Sequence, residues 1–155
     1  MVAAPVGFQC RECVAEGAAA TQPTSGPIPG RVAAISRPYV TYVLVGVCVI
    51  AFLLSLSAGI ESAVGGYGMR PVYIAVDGQW YRLLTSVFMH WSILHIGFNM
   101  LVLIMLGPTL ETVLGHFRFT VLYILAGLGG AVASYCFSPL ATASVGASGA
   151  IFGLM

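Results

Sequence analysis

Between Tyr39 and Ile60 the chain carries no charged side chain, and nearly every position is apolar. A helix of about 22 residues rises roughly 33 Å, enough to cross a hydrocarbon core of about 30 Å. Lipid offers no partner for an unpaired backbone N–H or C=O, so such a run must satisfy its hydrogen bonds internally, as a helix does. Two more apolar runs follow, from Ile93 to about Leu110 and from Phe119 to Phe137, and a fourth opens at Val145 and reaches Met155. Eleven residues of helix rise only about 16 Å, half a membrane. The expected fold is therefore all-α: a polytopic membrane helical bundle, with three full transmembrane helices at about 39–60, 93–110 and 119–137. The start of a fourth lies at 145–155. Composition agrees, with 59% hydrophobic and 7% charged residues, against about 25% charged in a soluble domain.

The connecting segments have their own character. Residues 15–38, rich in Pro, Gly, Ala and Ser, read as a flexible linker. Before it, Cys10-Arg-Glu-Cys13 supplies half of a tetrahedral zinc site, but the next histidine is His90, beyond the first apolar run. An incomplete or unmetallated pair is the simpler reading, and no other cofactor has support. Cys48 and Cys136 fall inside apolar runs, where a thiol packs as a small hydrophobe. The first long apolar run begins only after residue 38, so the start does not resemble a cleavable signal peptide. Arg31 and Arg37 precede that run and Glu61 follows it, which places the N-terminus in the cytoplasm by the positive-inside rule.

Residues 61–89 interleave Tyr67, Tyr73, Trp80 and Tyr81 with Arg70, Asp77 and Arg82, as in an element lying at headgroup level. Asp77-Gly78 signals a turn, and a short amphipathic helix is expected from Trp80. Gly107-Pro108 is expected to weaken the end of the second run, leaving Glu111 to Arg118 as a short cytoplasmic connection with His116 solvated in it. A net charge of +1 on six dispersed arginines offers no basic patch for nucleic acid.

Three polar residues inside the apolar runs carry the chemistry. His95 and Asn99 stand four apart, so on a helix they stack on one face. Each is costly in lipid and faces the bundle interior or a wet cavity. Ser148 lies in Gly146-Ala-Ser-Gly149-Ala-Ile-Phe-Gly153, where small residues permit close backbone approach. The bland alternatives are an interhelical hydrogen bond for His95 and Asn99, and a small-xxx-small packing patch for Gly149 and Gly153. Both segments run inward, so His95 and Ser148 belong at a similar depth below the outer surface. Their donors, with the Ser148 backbone N–H, then converge on one developing negative charge, as in an oxyanion hole. His90 stands five residues before His95, off its narrow helical face, and no carboxylate lies between, which weakens a metalloprotease reading. The Gly-x-Ser-x-Gly elbow of soluble hydrolases is absent, since Gly149 follows Ser148 directly.

Taken together, His90-Trp-Ser-Ile-Leu-His95-Ile-Gly-Phe-Asn99 and Gly146-Ala-Ser148-Gly149, with Trp80-Tyr81-Arg82 and Glu111 between and before them, resemble the rhomboid intramembrane serine proteases. The resemblance covers about residues 39–155 and is of the bacterial type. It implies Ser148 as nucleophile, with His95 and Asn99 stabilising the oxyanion. Arg82 would hold the interfacial loop, and Glu111 would tie down the cytoplasmic end of the second helix. Gly146, Gly149 and Gly153 would be structural, the last two letting the fourth helix approach its neighbours. Implied partners are transmembrane protein substrates, cut near the outer face of a bacterial plasma membrane, and the lipid bilayer itself. Residues 1–14, with Cys10 and Cys13, resemble the tail of a zinc-ribbon-like extension whose first half is missing.

The family's base is a histidine in Gly-x-x-x-His-x-x-Gly on a sixth helix, and these 155 residues contain no such motif. A serine hydroxyl without a positioned base is a weak nucleophile. Two readings result: a rhomboid protease truncated at its C-terminus, or a catalytically inactive rhomboid-like fragment that binds transmembrane helices. Intramembrane charge is too sparse, and internal repeats too faint, to favour a transporter or channel.

Overall fold

The computed structural model describes residues 2–4, 7–9 and 37–155. The Cys10–Cys13 pair, with its zinc reading, and residues 15–36 of the expected linker lie outside the described residues. Val2–Ala4 (β1) and Gly7–Gln9 (β2) form a small antiparallel hairpin in which Ala3 faces Phe8. It belongs to a compact unit separate from the membrane unit.

Among the described residues of the membrane unit the helices are α1 (Tyr39–Ala58), α2 (Ile60–Tyr67), α3 (Pro71–Asp77) and α4 (Arg82–Thr85), then α5 (Ile93–Leu114), α6 (His116–Phe137) and α7 (Ser148–Leu154). A single 3-10 turn, Ser86–Phe88, extends α4. Helices α1, α5 and α6 are long and apolar enough to cross a membrane. Their shared core joins Leu44, Cys48 and Phe52 of α1 to Met100 and Leu103 of α5, Phe119 and Tyr123 of α6, and Ile151 of α7. Outside this seam Leu54, Ile93, Leu94, Phe98, Phe117 and Leu125 are exposed. A soluble monomer seldom leaves a contiguous apolar patch above a few hundred Å² uncovered, so this belt needs lipid. The chain is a multi-pass membrane protein.

The second apolar segment does not end at Gly107-Pro108. Helix α5 runs through to Leu114, carrying Glu111 inside it, and α6 starts at His116 rather than Phe119. The expected polar connection shrinks to Gly115, whose φ of +83° turns the chain while its N–H still bonds Glu111 O at 2.9 Å. A membrane helix tolerates an internal proline when its neighbours fix the surrounding backbone, and here they do. Glu111 is fully buried, and its Oε1 accepts from Val40 N at 2.9 Å. Its Oε2 accepts from Thr41 N at 2.8 Å and Thr41 Oγ1 at 2.7 Å. Helix α1 has no side-chain cap of its own, so a carboxylate from α5 satisfies its orphan N–H groups at the positive end of the helix dipole. Thr41 also occupies the space at Gly107, where a β-carbon would meet its Cγ2 at 2.6 Å.

The last segment forms helix only from Ser148, three residues later than expected. Val145 to Ala147 are instead held by the segment that carries α2 to α4. Met69 and Ser144 exchange backbone hydrogen bonds at 3.1 and 2.8 Å, and Gly146 N donates to Ser86 O at 2.9 Å. Helix α7 then packs on α6 at glycine contacts: a β-carbon on Gly130 would lie 2.9 Å from Gly149 Cα.

Candidate active site

Ser148 opens α7 half-buried, directly after the turn that the α2–α4 segment holds. Gly146 makes that turn with φ +126°, a conformation that side-chain-bearing residues rarely adopt. The missing side chain also leaves room for a meeting of two others. The position of a Gly146 β-carbon is 2.7 Å from His95 Nε2 and 3.6 Å from Ser148 Oγ. His95 and Ser148, predicted at one depth from two different helices, thus converge on one point.

Asn99 joins from the other side. Asn99 and Ser148 line a common cavity of about 200 Å³ with Phe98, Val102, Ile151 and Phe152. The Asn99 side chain donates through Nδ2 to the His95 carbonyl at 2.8 Å, which fixes its carboxamide one turn below the imidazole. Ser92 caps the same helix, accepting from His95 N at 3.2 Å. Ser148 also borders a second cavity, of about 150 Å³, with Ser86, Ser134, Ser144 and Gly130 on its wall. Hydroxyls at that density make it a space suited to ordered water. Ser148 thus meets the His95 imidazole at Gly146 on one side and shares a cavity with the Asn99 carboxamide on the other. A hydroxyl, an imidazole and a carboxamide are the groups that nucleophilic attack and oxyanion stabilisation require. Among the described residues no hydrogen bond joins Ser148 Oγ to a histidine.

The remaining sequence-predicted residues lie around this centre. Arg82 is buried; its Nη1 donates to Gly65 O at 2.9 Å and Gly68 O at 2.8 Å, and its Nε to Gln79 Oε1. Its guanidinium stands 4.7 Å from the Tyr73 ring centre, so it ties α2, α3 and α4 into one element. Glu111 sits far along α5 at the N-terminus of α1, with His116 Nδ1 on its Oε1 and the His116 ring tilted against that of Tyr39, centroids 3.9 Å apart. His116 is thus packed rather than merely solvated. Gly153 meets Ala126 of α6, and Gly149 meets Gly130. Among the described residues no group of three His, Cys, Asp or Glu side chains is gathered to hold a metal.

Sequence reasoning missed the neighbour of His95. A helical projection separates His90 from it, but α5 begins only at Ile93, and His90 lies in the turn before. The two rings meet edge-on with centroids 5.1 Å apart. His90 is fully buried and its Nδ1 lies 3.2 Å from Phe88 O. Burial first, then the His95 ring, push the His90 imidazole down to about 4. Ser86 and Ser144 were missed as well, because no spacing rule links them to Ser148; only the tertiary fold brings them together.

Comparison with known proteins gives the family of the chain. The profile of the rhomboid domain matches residues 77–155, which include the turn of His90, all of α5 and the Ser148 segment. The chain is 36% identical over 122 residues to rhomboid protease GluP of Bacillus subtilis (strain 168), covering 77% of this chain and 24% of GluP. It is 36% identical over 103 residues to RHOMBOID-like protein 4 of Arabidopsis thaliana, 66% of this chain and 25% of that protein. Rhomboid-type serine protease 2 of Emericella nidulans shares 36% over 77 residues, 50% of this chain and 15% of the relative. The chain thus spans about a quarter or less of the length of these relatives. With the domain profile matched over half of its residues, the chain belongs to the rhomboid family.

Proposed function

We propose that this protein acts as an intramembrane serine endopeptidase of rhomboid type, cutting transmembrane protein substrates near the outer face of the bacterial plasma membrane. Ser148 is the nucleophile. His95 and Asn99, with the Ser148 backbone N–H, stabilise the oxyanion of the tetrahedral intermediate. Arg82 and Glu111 are structural: the first braces the interfacial element that holds the Ser148 turn, the second locks α1 to α5. Gly146, Gly149 and Gly153 serve the close approaches that bring these parts together. The N-terminus faces the cytoplasm. The observation that carries the reading is the convergence of His95 Nε2 and Ser148 Oγ on the vacant β-carbon position of Gly146.

The reaction also needs a base to take the Ser148 proton. His95 is engaged as a donor in this scheme, His90 is buried with its Nδ1 on the Phe88 carbonyl, and His116 packs on Glu111, so none of the three is placed as that base. For the 155 residues acting by themselves the lack of a hydrogen bond between Ser148 and any histidine favours the second reading. They then bind transmembrane helices without cleavage.

The test is co-reconstitution of the protein, in its longest in-frame form, with a single-span substrate carrying a helix-breaking residue near its outer end. Cleavage at that residue, lost in Ser148→Ala, is the expected result. Equal cleavage by Ser148→Ala contradicts the assignment, and binding without cleavage by both forms selects the second reading.

A further inference from the structure

His90 has no part in the scheme above, yet it is fully buried against one of its residues. Its two ring nitrogens are unequal. Nδ1 lies 3.2 Å from the Phe88 carbonyl oxygen, which can only accept, so Nδ1 carries the proton. Nε2 of the neutral ring is then a bare lone pair, and it is buried with no hydrogen-bond partner among the described residues. A buried acceptor without a protein partner is costly and calls for a reason in its surroundings. The neighbouring aromatic ring is that of His95, edge-on at 5.1 Å.

We propose that His90 is a positioning residue for His95: its ring, pinned by the Phe88 carbonyl, fixes the rotamer that carries His95 Nε2 to Gly146 and Ser148. The significance of that rotamer for catalysis rests on the function proposed above; the positioning itself does not. Three features make His90 suited to the role. It precedes α5, so it approaches His95 from outside the helix instead of competing for a place on it. Its own ring cannot swing without losing the Phe88 contact inside a closed pocket. Neutral at ordinary pH, its ring adds no positive charge beside an imidazole that must donate.

The test is NMR of the micelle-embedded chain with 15N-labelled histidine, which needs no turnover and so is decided independently of whether Ser148 is a nucleophile. In the unmodified chain at pH 7, His90 is expected as a single neutral tautomer, protonated at Nδ1 and bare at Nε2. An Nε2–H tautomer or an imidazolium there overturns the proposal. A cross-peak between His95 Hε1 and a Gly146 α-proton is expected, since His95 Cε1 lies 2.8 Å from the Gly146 β-carbon position. His90→Leu, which fills the pocket, is expected to lose that cross-peak and broaden the His95 ring signals, and His90→Gln to retain both. A folded His90→Leu chain with the cross-peak unchanged overturns the proposal. The tautomer measurement decides it should that variant fail to fold.

Discussion

Gly146 concentrates two demands in one residue: a backbone φ of +126° and an empty side-chain volume between His95 and Ser148. Gly146→Ala strains the backbone, at about 1–3 kcal/mol, and drives a methyl group into the His95 ring. The expected outcome is a lower unfolding temperature in detergent together with loss of activity; unchanged behaviour in both assays contradicts the site geometry. His95→Ala removes a proposed oxyanion donor, so kcat should fall by about 100-fold or more with KM little changed, read in a reconstituted cleavage assay. His90 supplies a pH prediction. Its folded value of about 4 lies below the ordinary 6.5, so the unfolded chain takes up the proton first as pH falls. Stability from this neutral burial is complete above about pH 6.5 and is lost toward pH 4. Unfolding temperatures measured across that range should decline less in His90→Gln than in the parent.

Between helices, the decisive contacts are a carboxylate and a set of glycines. Glu111 accepts three hydrogen bonds at the start of α1 as well as the His116 contact. Glu111→Ala should cost about 3 kcal/mol or more, since each bond to a buried charge contributes about 1.5–3 kcal/mol; detergent unfolding measures it. Gly130→Ala places a β-carbon 2.9 Å from the Gly149 backbone, which has no flexible atom to yield. Forcing the helices apart costs about 1–3 kcal/mol, and the displaced α7 carries Ser148 with it. The sequence marked these glycines as a small-residue face but did not say which opposing glycine each would meet. It also placed Glu111 in a loop. Pro108 and the polar run after it are helix-ending signals when read locally, and the capping of α1 by Glu111 is a contact across 70 residues that no local rule contains. The approach of His95 to Ser148, and the place of Asn99 one turn along from His95, were legible because helix periodicity and position along an apolar run are both one-dimensional. The serines of the adjoining cavity and the edge-on His90 were not, because loop geometry placed them.

Across the whole molecule, lipid is the missing layer of the core. Three membrane-crossing helices share one thin seam and leave their large apolar side chains outward. The segment carrying α2 to α4 reaches the Ser148 segment through the Met69–Ser144 and Ser86–Gly146 contacts. Loosening that element therefore reaches the proposed nucleophile without touching it. Arg82→Ala removes the cation linking Gly65, Gly68, Gln79 and Tyr73. It should make the 144–146 backbone exchange its amide hydrogens faster, while α1 exchange stays unchanged; protection equal to the parent's contradicts this coupling.

The central claim is that Ser148 is a nucleophile served by an oxyanion site. The most direct measurement is mass-spectrometric mapping of a serine-directed fluorophosphonate adduct on the reconstituted protein in its longest in-frame form. The account predicts one adduct, on Ser148, absent from Ser148→Ala and formed more slowly in His95→Ala. An adduct on another residue, or a reconstituted protein that cleaves substrate while Ser148 remains unmodified, contradicts it.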